Sequence, residues 1–303
     1  MTRISLRDVG PRDGLQAASA FLPTEKKIEW FRLVAAAGVP DIEVTSFSSP
    51  RLLPQFADAA EVLPAAMAMG GFGVSALIPN RTGAERGFAL KAPKLNYVVS
   101  ASNAHSLSNV GRSTADAVAE FGEIVRLRDE LGATTELSVG IATSFGCSIT
   151  GRVPESDVLR IAEELLSLGA QEISLADTVG YANPRQVAGL VKDVMGLAGD
   201  VPLLCHFHDT RGLGLANAAA AIDQGVTRLD ASLGGLGGCP FAPGATGNIN
   251  LEDTVFLVHE MGFETGIDLE ALIDVRRSVQ SWLPGESFTG AVAKAGLPLR
   301  KAA

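Results

Sequence analysis

Hydrophobic and polar positions along the chain follow two alternating rhythms. Compact apolar runs rich in Val, Ile and Leu predict buried strands, and the stretches between them, with an apolar residue every third or fourth position, predict amphipathic helices. Strands are expected at 4–10, 39–47, 72–79, 95–102, 135–143, 171–177, 202–208 and 227–233. Helices are expected at about 24–37, 55–66, 81–90, 113–131, 154–168, 184–198, 212–224 and 250–261, several with glycine just past the end. Eight strand–helix alternations are the count of a (β/α)8 TIM barrel, an α/β fold that accommodates this length in one domain. A single catalytic domain over 1–303 is therefore expected. A last helix at about 268–283 and a Gly/Pro-bearing tail form a C-terminal appendage, or a lid, over 268–303. Doubly wound open sheets share the alternation, yet they usually begin with a glycine-rich phosphate turn, whereas the first turn here reads Gly10-Pro11-Arg12-Asp13-Gly14.

In a barrel, chemistry belongs at the carboxyl ends of the strands, and the unusual polar residues fall there. The seventh strand, Leu203-Leu204-Cys205-His206-Phe207-His208, ends in two of the chain's four histidines. Spaced i, i+2 on a strand, both imidazoles share one face, as a divalent metal would require. They can equally be hydrogen-bonded core histidines, since two ligands do not close a metal site. Asp13 ends the first strand, Glu43 lies within the second and Asp177 ends the sixth. A carboxylate in an apolar strand is costly unless it binds a cation or an ion-pair partner, and Arg12 across the barrel top is the partner available. Oxygen ligands with two imidazoles suit Mg²⁺ or Mn²⁺. Asp13, His206 and His208 supply three ligands. Asn248, before the eighth helix, is a fourth ligand or an N-cap.

Ser232 to Pro240 is glycine-dense and carries Cys239, placed either as an acid, base or nucleophile over the mouth or as a small buried residue. Cys205 should face away from the two histidines and pack. Cys147, at the end of the fifth strand, fits either role. His259 reads as a helix-surface residue, and His105 stands near the predicted mouth.

Composition narrows the partners. With 47% hydrophobic and 19% charged residues the chain is globular, with a mostly aliphatic core expected. A net charge of -9 and no Lys/Arg run argue against nucleic acid. Three cysteines without CxxC spacing fit free thiols in a reducing compartment, hence a cytoplasmic location. No apolar run approaches the ~18 residues of a membrane span.

These motifs together resemble the 3-hydroxy-3-methylglutaryl-CoA lyase family of the metal-dependent barrel lyases and Claisen-type synthases. The likeness covers nearly the whole chain and rests on Val9 to Gln16, Ile42 to Phe47, His206 to Thr210 with Gly214 to Asn217, and Gly235 to Ala242. It implies that Asp13, His206, His208 and Asn248 bind Mg²⁺ or Mn²⁺, while Arg12, Glu43, Asp177, His206 and Cys239 are catalytic. It implies an acyl-CoA substrate, cleaved to acetyl-CoA and acetoacetate or a related oxo acid, and a role in leucine catabolism. The alternative is a synthase condensing acetyl-CoA with a 2-oxo acid; Leu15-Gln16 and Cys239 favour the lyase. The oligomeric state is left open, a homo-oligomer included. Three stretches depart from the family: Ala17 to Ala20 are plainer than its usual continuation, Ser148-Ile149 stand where it commonly has Pro-Tyr, and His105 is unexpected.

Overall fold

The computed structural model describes residues 2–237 and 247–298. Eight parallel strands close on themselves in sequence order: β1 Ser5–Asp8, β2 Asp41–Ser46, β3 Gly73–Ile78, β4 Lys94–Ser100, β5 Glu136–Ala142, β6 Glu172–Asp177, β7 Leu203–Phe207 and β8 Arg228–Ala231. Closure runs through β1, where Arg7 pairs with Asp41 of β2 on one side and with Asp230 of β8 on the other. The TIM barrel expected from the alternation is the observed fold.

The helices cover the barrel: α1 Thr24–Ala36, α2 Ala59–Met69, α3 Arg81–Ala89, α4 Asn103–Val110, α5 Thr114–Glu130, α6 Glu155–Ser167, α7 Pro184–Ala198, α8 Gly214–Asp223, α9 Leu251–Glu260, α10 Leu269–Trp282 and α11 Val292–Ala295. Local chemistry sets many of the starts. The side chains of Asn80, Ser102, Ser113, Asn183, Asn250 and Asp268 each accept a backbone N–H of the first turn that no helical carbonyl can reach. Aliphatic side chains fill the layer between barrel and helices, as Val158, Ile161 and Leu165 of α6 illustrate.

Two helices, α4 and α11, lie outside the expected alternation. α4 escapes the apolar periodicity because it is short and its buried residues are His105 and Ser106. The first strand is also shorter than expected, since Gly10–Gly14 forms a π-helical turn instead of extending it. There the Val9 carbonyl accepts the N–H groups of Arg12, Asp13 and Gly14 at 3.1, 2.7 and 3.2 Å. Asp13 therefore sits one turn beyond the end of β1, over the barrel mouth.

The expected C-terminal appendage is a pinned strap. α10 buries Leu272, Ile273, Val275 and Val279, and the Lys26 ammonium of α1 stands 4.7 Å from the Trp282 ring centroid. Beyond α10, the Thr289 N–H donates to the Gly234 carbonyl at 2.8 Å, and the N–H groups of Ala291 and Val292 donate to the Asp253 carboxylate. The strap thus holds the root of the glycine-rich segment that follows β8. No helix among the described residues is long and apolar enough to cross a membrane.

Candidate active site

β7 delivers His206 on its last turn of pleat, and His208 follows one residue past the strand. Their Nε2 atoms face each other at 3.1 Å, and His208 Nε2 lies 3.8 Å from Asp13 Oδ2. One ligand atom from each of Asp13, His206 and His208 falls within 4.8 Å of the others, a spacing that a single cation can share. Asn248 joins them by a route the sequence does not display. Residues 247–249 lie along the end of β7 as a short antiparallel segment, with Ile249 N–H donating to Phe207 O at 3.0 Å and His208 bridged to Asn248. The Asn248 amide donates to Asp13 Oδ2 at 2.7 Å, while its Oδ1 is buried with no hydrogen-bond partner among the described residues. The N-cap reading of Asn248 is thereby excluded, because α9 is capped by Asn250, which accepts the Asp253 N–H.

This donor set fits a divalent cation. An orphaned buried amide oxygen is costly, and two basic nitrogens in contact need a shared proton or a shared metal. The electrostatics agree. Burial opposes ionisation of Asp13, but Arg12, His206 and His208 hold its pKa down at about 2, so it is a carboxylate at any physiological pH. Burial and the neighbouring His206 push the pKa of His208 to about 4, leaving a neutral imidazole with a lone pair to give.

Arg12 stands beside this group. Its Nε donates to Glu43 and its NH1 to Asp13, so the guanidinium is clamped by two carboxylates while its NH2 group takes no hydrogen bond among the described residues. Glu43 is thus ion-paired with Arg12 and is 1% exposed. Asp177 is not. It accepts the N–H groups of Tyr181 and Ala182 at 2.8 and 3.1 Å, and burial lifts its pKa to about 6. A carboxyl so poised changes form near neutral pH, as a proton carrier must.

The core is mostly aliphatic, as expected, but the barrel interior carries a polar cluster. Arg7 of β1 makes a two-pronged contact with Asp230 of β8, Nε to Oδ1 at 2.7 Å and NH2 to Oδ2 at 3.0 Å. On its other side NH1 reaches Asn96 Oδ1 at 3.4 Å, and Asn96 donates to Glu43 Oε1 at 2.6 Å. Asp230 Oδ2 also lies 3.1 Å from His206 Nδ1. Burial pulls the His206 pKa down, yet the hydrogen bond and charge of Asp230 outweigh it and hold the pKa above its ordinary value. Sequence reasoning passed over Arg7, Asn96 and Asp230. The available signal was a charged or amide residue inside three strand patterns, the same anomaly that singled out Glu43.

Other candidates are packed into the protein rather than open to the mouth. Cys205 is fully buried, and desolvation raises its pKa, as a packing residue should show. Cys147 is buried in a tight turn whose ends are Cys147 and Gly151, each N–H donating to the other's carbonyl at 2.8 Å. His259, on the last turn of α9, is half-buried and contacts Thr265 Oγ1 at 2.9 Å. His105 is 2% exposed, with Nδ1 2.8 Å from Ser100 Oγ; it is packed behind the mouth rather than open to it. Cys239 lies outside the described residues.

Closed barrel, C-terminal mouth, an Asp13/His206/His208 cluster spaced for a cation and a clamped arginine beside it are the features of a barrel enzyme with a candidate metal site. The HMGL-like family model matches residues 3–279. The chain belongs to that family, and it is a carbon–carbon lyase. It is 35% identical over 278 residues to a hydroxymethylglutaryl-CoA lyase of Bacillus subtilis, covering 92% of each chain. It is 39% identical to an (R)-citramalyl-CoA lyase of Chloroflexus aurantiacus over 98% of this chain and 96% of that one. Among solved structures, an HMG-CoA lyase of A. baumannii in complex with coenzyme A and 3-methylmalate superposes with a TM-score of 0.91 at 42% identity, covering 98% of each chain.

Proposed function

We propose that the protein cleaves a 3-hydroxy-3-methylglutaryl-CoA-like thioester to acetyl-CoA and acetoacetate, using Mg²⁺ or Mn²⁺ held by Asp13, His206, His208 and Asn248. The observation that carries this reading is the buried Asn248 Oδ1, without a hydrogen-bond partner among the described residues, beside three further ligands and Arg12. The bound cation would acidify the substrate's tertiary hydroxyl and chelate its free carboxylate. Asp177, with its pKa of about 6, takes the hydroxyl proton, while His206 acts as a ligand beside it. The C–C bond then breaks, its electron pair entering the thioester as an enolate and the carbinol carbon becoming a ketone. The NH2 group of Arg12 donates to the thioester oxygen as charge grows there, and Glu43 holds the guanidinium in place. Cys239 returns a proton to the enolate carbon, giving acetyl-CoA. One catalytic domain over 1–303 carries this chemistry, with α10 and the strap as its appendage. Free thiols at Cys147 and Cys205 support a cytoplasmic setting.

A second reading shortens the acyl group. In a citramalyl-type thioester the carboxylate joins the carbinol carbon directly, so cleavage yields a 2-oxo acid. Two similarities favour it, to a citramalyl-CoA lyase and to a structure holding 3-methylmalate. Ser148-Ile149 supports it too, as the place where the acyl pocket departs from the family's Pro-Tyr. Acetyl-CoA release from each thioester with Mg²⁺ decides. Faster turnover of the citramalyl ester selects the second reading, and release from neither, with condensation of acetyl-CoA and a 2-oxo acid instead, overturns both.

A further inference from the structure

The proposed ligands sit on an arrangement that has a purpose of its own. Arg7, Asp230, Asn96 and Glu43 are 5%, 4%, 6% and 1% exposed and come from β1, β8, β4 and β2, so contacts among them cross the barrel interior rather than its surface. They form a chain with two ends. One end is Asp230 Oδ2 against the ring nitrogen of His206 that faces away from His208. The other is Glu43 against Arg12. Arg7 is the shared middle, bonding Asp230 through Nε and NH2 and Asn96 through NH1.

We propose that Asp230 is a positioning residue: clamped by Arg7, it fixes His206 with its proton on Nδ1 and its Nε2 lone pair aimed at the metal site. An imidazole can offer only one neutral nitrogen as a ligand, and the partner of the other nitrogen selects which. Asp230 is suited to that task because its own freedom is removed. Its Oδ1 is taken by Arg7 Nε, and its Oδ2 receives both Arg7 NH2 and the imidazole. The same guanidinium restrains Asn96 and, through it, Glu43, so the ligand end and the Arg12 end share one fixed point. This inference rests on the metal site proposed above and extends it to residues that touch neither substrate nor cation.

The test is titration of Mn²⁺ into substrate-free protein, with ¹⁵N NMR of the histidine rings in the metal-free state. Asp230→Ala should weaken Mn²⁺ binding by about 10- to 100-fold, the range for losing such a support, and remove the Nδ1-protonated signature of His206. Asp230→Asn, which keeps the shape and one acceptor oxygen, should recover part of both, and it is the variant to read if the alanine variant does not fold. Arg7→Lys, which keeps the charge and loses the fork, should fall between Asp230→Asn and wild type. Wild-type Mn²⁺ affinity and an unchanged His206 tautomer in a folded Asp230 variant would overturn the proposal. Failure of wild type itself to bind Mn²⁺ would instead refute the metal site, and the tautomer readout would still decide the role of Asp230.

Discussion

Gly247→Ala is a perturbation whose size can be worked from the backbone alone. Gly247 carries no side chain and contacts no reacting group, but it sets the course of the segment that brings Asn248 to Asp13. A Cβ added there would meet the carbonyl oxygens of Gly235 and Gly237, the first at 2.5 Å. Ordinary contact is ~3.5 Å and the Gly237 oxygen is nearer still, so one of the two segments must yield by more than about 1 Å. Neither is free to do so at no cost. Residues 247–249 are hydrogen-bonded to Asp209 and Phe207, and Gly234 at the root of the other segment is bonded to Thr289 of the strap and to Glu252. A displacement of about 1 Å in positioning a reacting constellation costs on the order of 10²-fold in rate, roughly 2.7 kcal/mol.

The expected result is a drop in turnover of that order with weaker Mn²⁺ binding, while the barrel stays folded. Gly189→Ala supplies the control. That glycine lies within α7 with nothing within 4 Å of an added Cβ, so the substitution should stabilise the helix by up to about 1 kcal/mol and leave the rate unchanged. Acetyl-CoA release, metal titration and thermal melting on the pair suffice. If Gly247→Ala turns over and binds Mn²⁺ like wild type, the 247–249 segment does not position Asn248 for function and its place in the ligand set is lost.

Chelator-treated protein should lose activity and regain it with Mg²⁺ or Mn²⁺, and His208→Ala should weaken metal binding; activity that survives exhaustive metal removal contradicts the site. Arg12→Lys keeps the charge but not the planar fork that spans Glu43, Asp13 and substrate, and should lower kcat by about 10²- to 10³-fold, which steady-state kinetics would read directly. Cys239→Ala should cut turnover by about 10²- to 10⁴-fold with metal affinity retained, whereas normal turnover with a lower Tm would make it a packing residue. Glu252 is fully buried beside Arg276 and Gly234, and burial lifts its pKa from 4.5 to about 7. The folded state therefore keeps a proton that the unfolded chain releases, so stability is full below pH ~4.5 and falls by about 3 kcal/mol as pH rises through 7. Denaturant melts across that window should show a shallower decline for Glu252→Gln.

What the sequence makes legible follows from what repeats. Strand and helix alternate because each strand is buried on both faces and each helix on one, and that pattern survives in single residues: β6 and α7 begin and end within a residue of where periodicity puts them. The i, i+2 histidines were equally plain, since a strand end has only two faces. Asn248 was ambiguous for a physical reason. An asparagine two residues before a helix pattern looks like a cap, and only the pairing of residues 247–249 with β7, a contact between segments some 40 positions apart, shows that Asn250 takes the cap and frees Asn248. The π-helical turn was hidden as well, because Pro11 and two glycines read as a break, and nothing local announces that one carbonyl will accept three successive amides.

Arg7 and Asp230 mark a deeper limit, and it bears on how such a site holds its shape. Each alone is only a charge inside a short strand pattern, and its meaning comes from barrel closure, which sets β1 beside β8 and pairs Arg7 with Asp230. Burying that pair costs desolvation that aliphatic residues would not, and an aliphatic pair would often be at least as stable. Stability is therefore a poor reason for its presence, whereas orientation is a sufficient one: a methyl group cannot choose which nitrogen of His206 carries the proton, and a carboxylate fixed on two sides can. Arg7→Met with Asp230→Leu separates the two accounts, because the double variant leaves neither charge unpaired. A stability close to wild type or higher, joined to impaired metal binding and turnover, would be the signature of a charge pair kept for geometry. A double variant that melts early yet binds Mn²⁺ normally would show that the interior charges serve the fold and not the site.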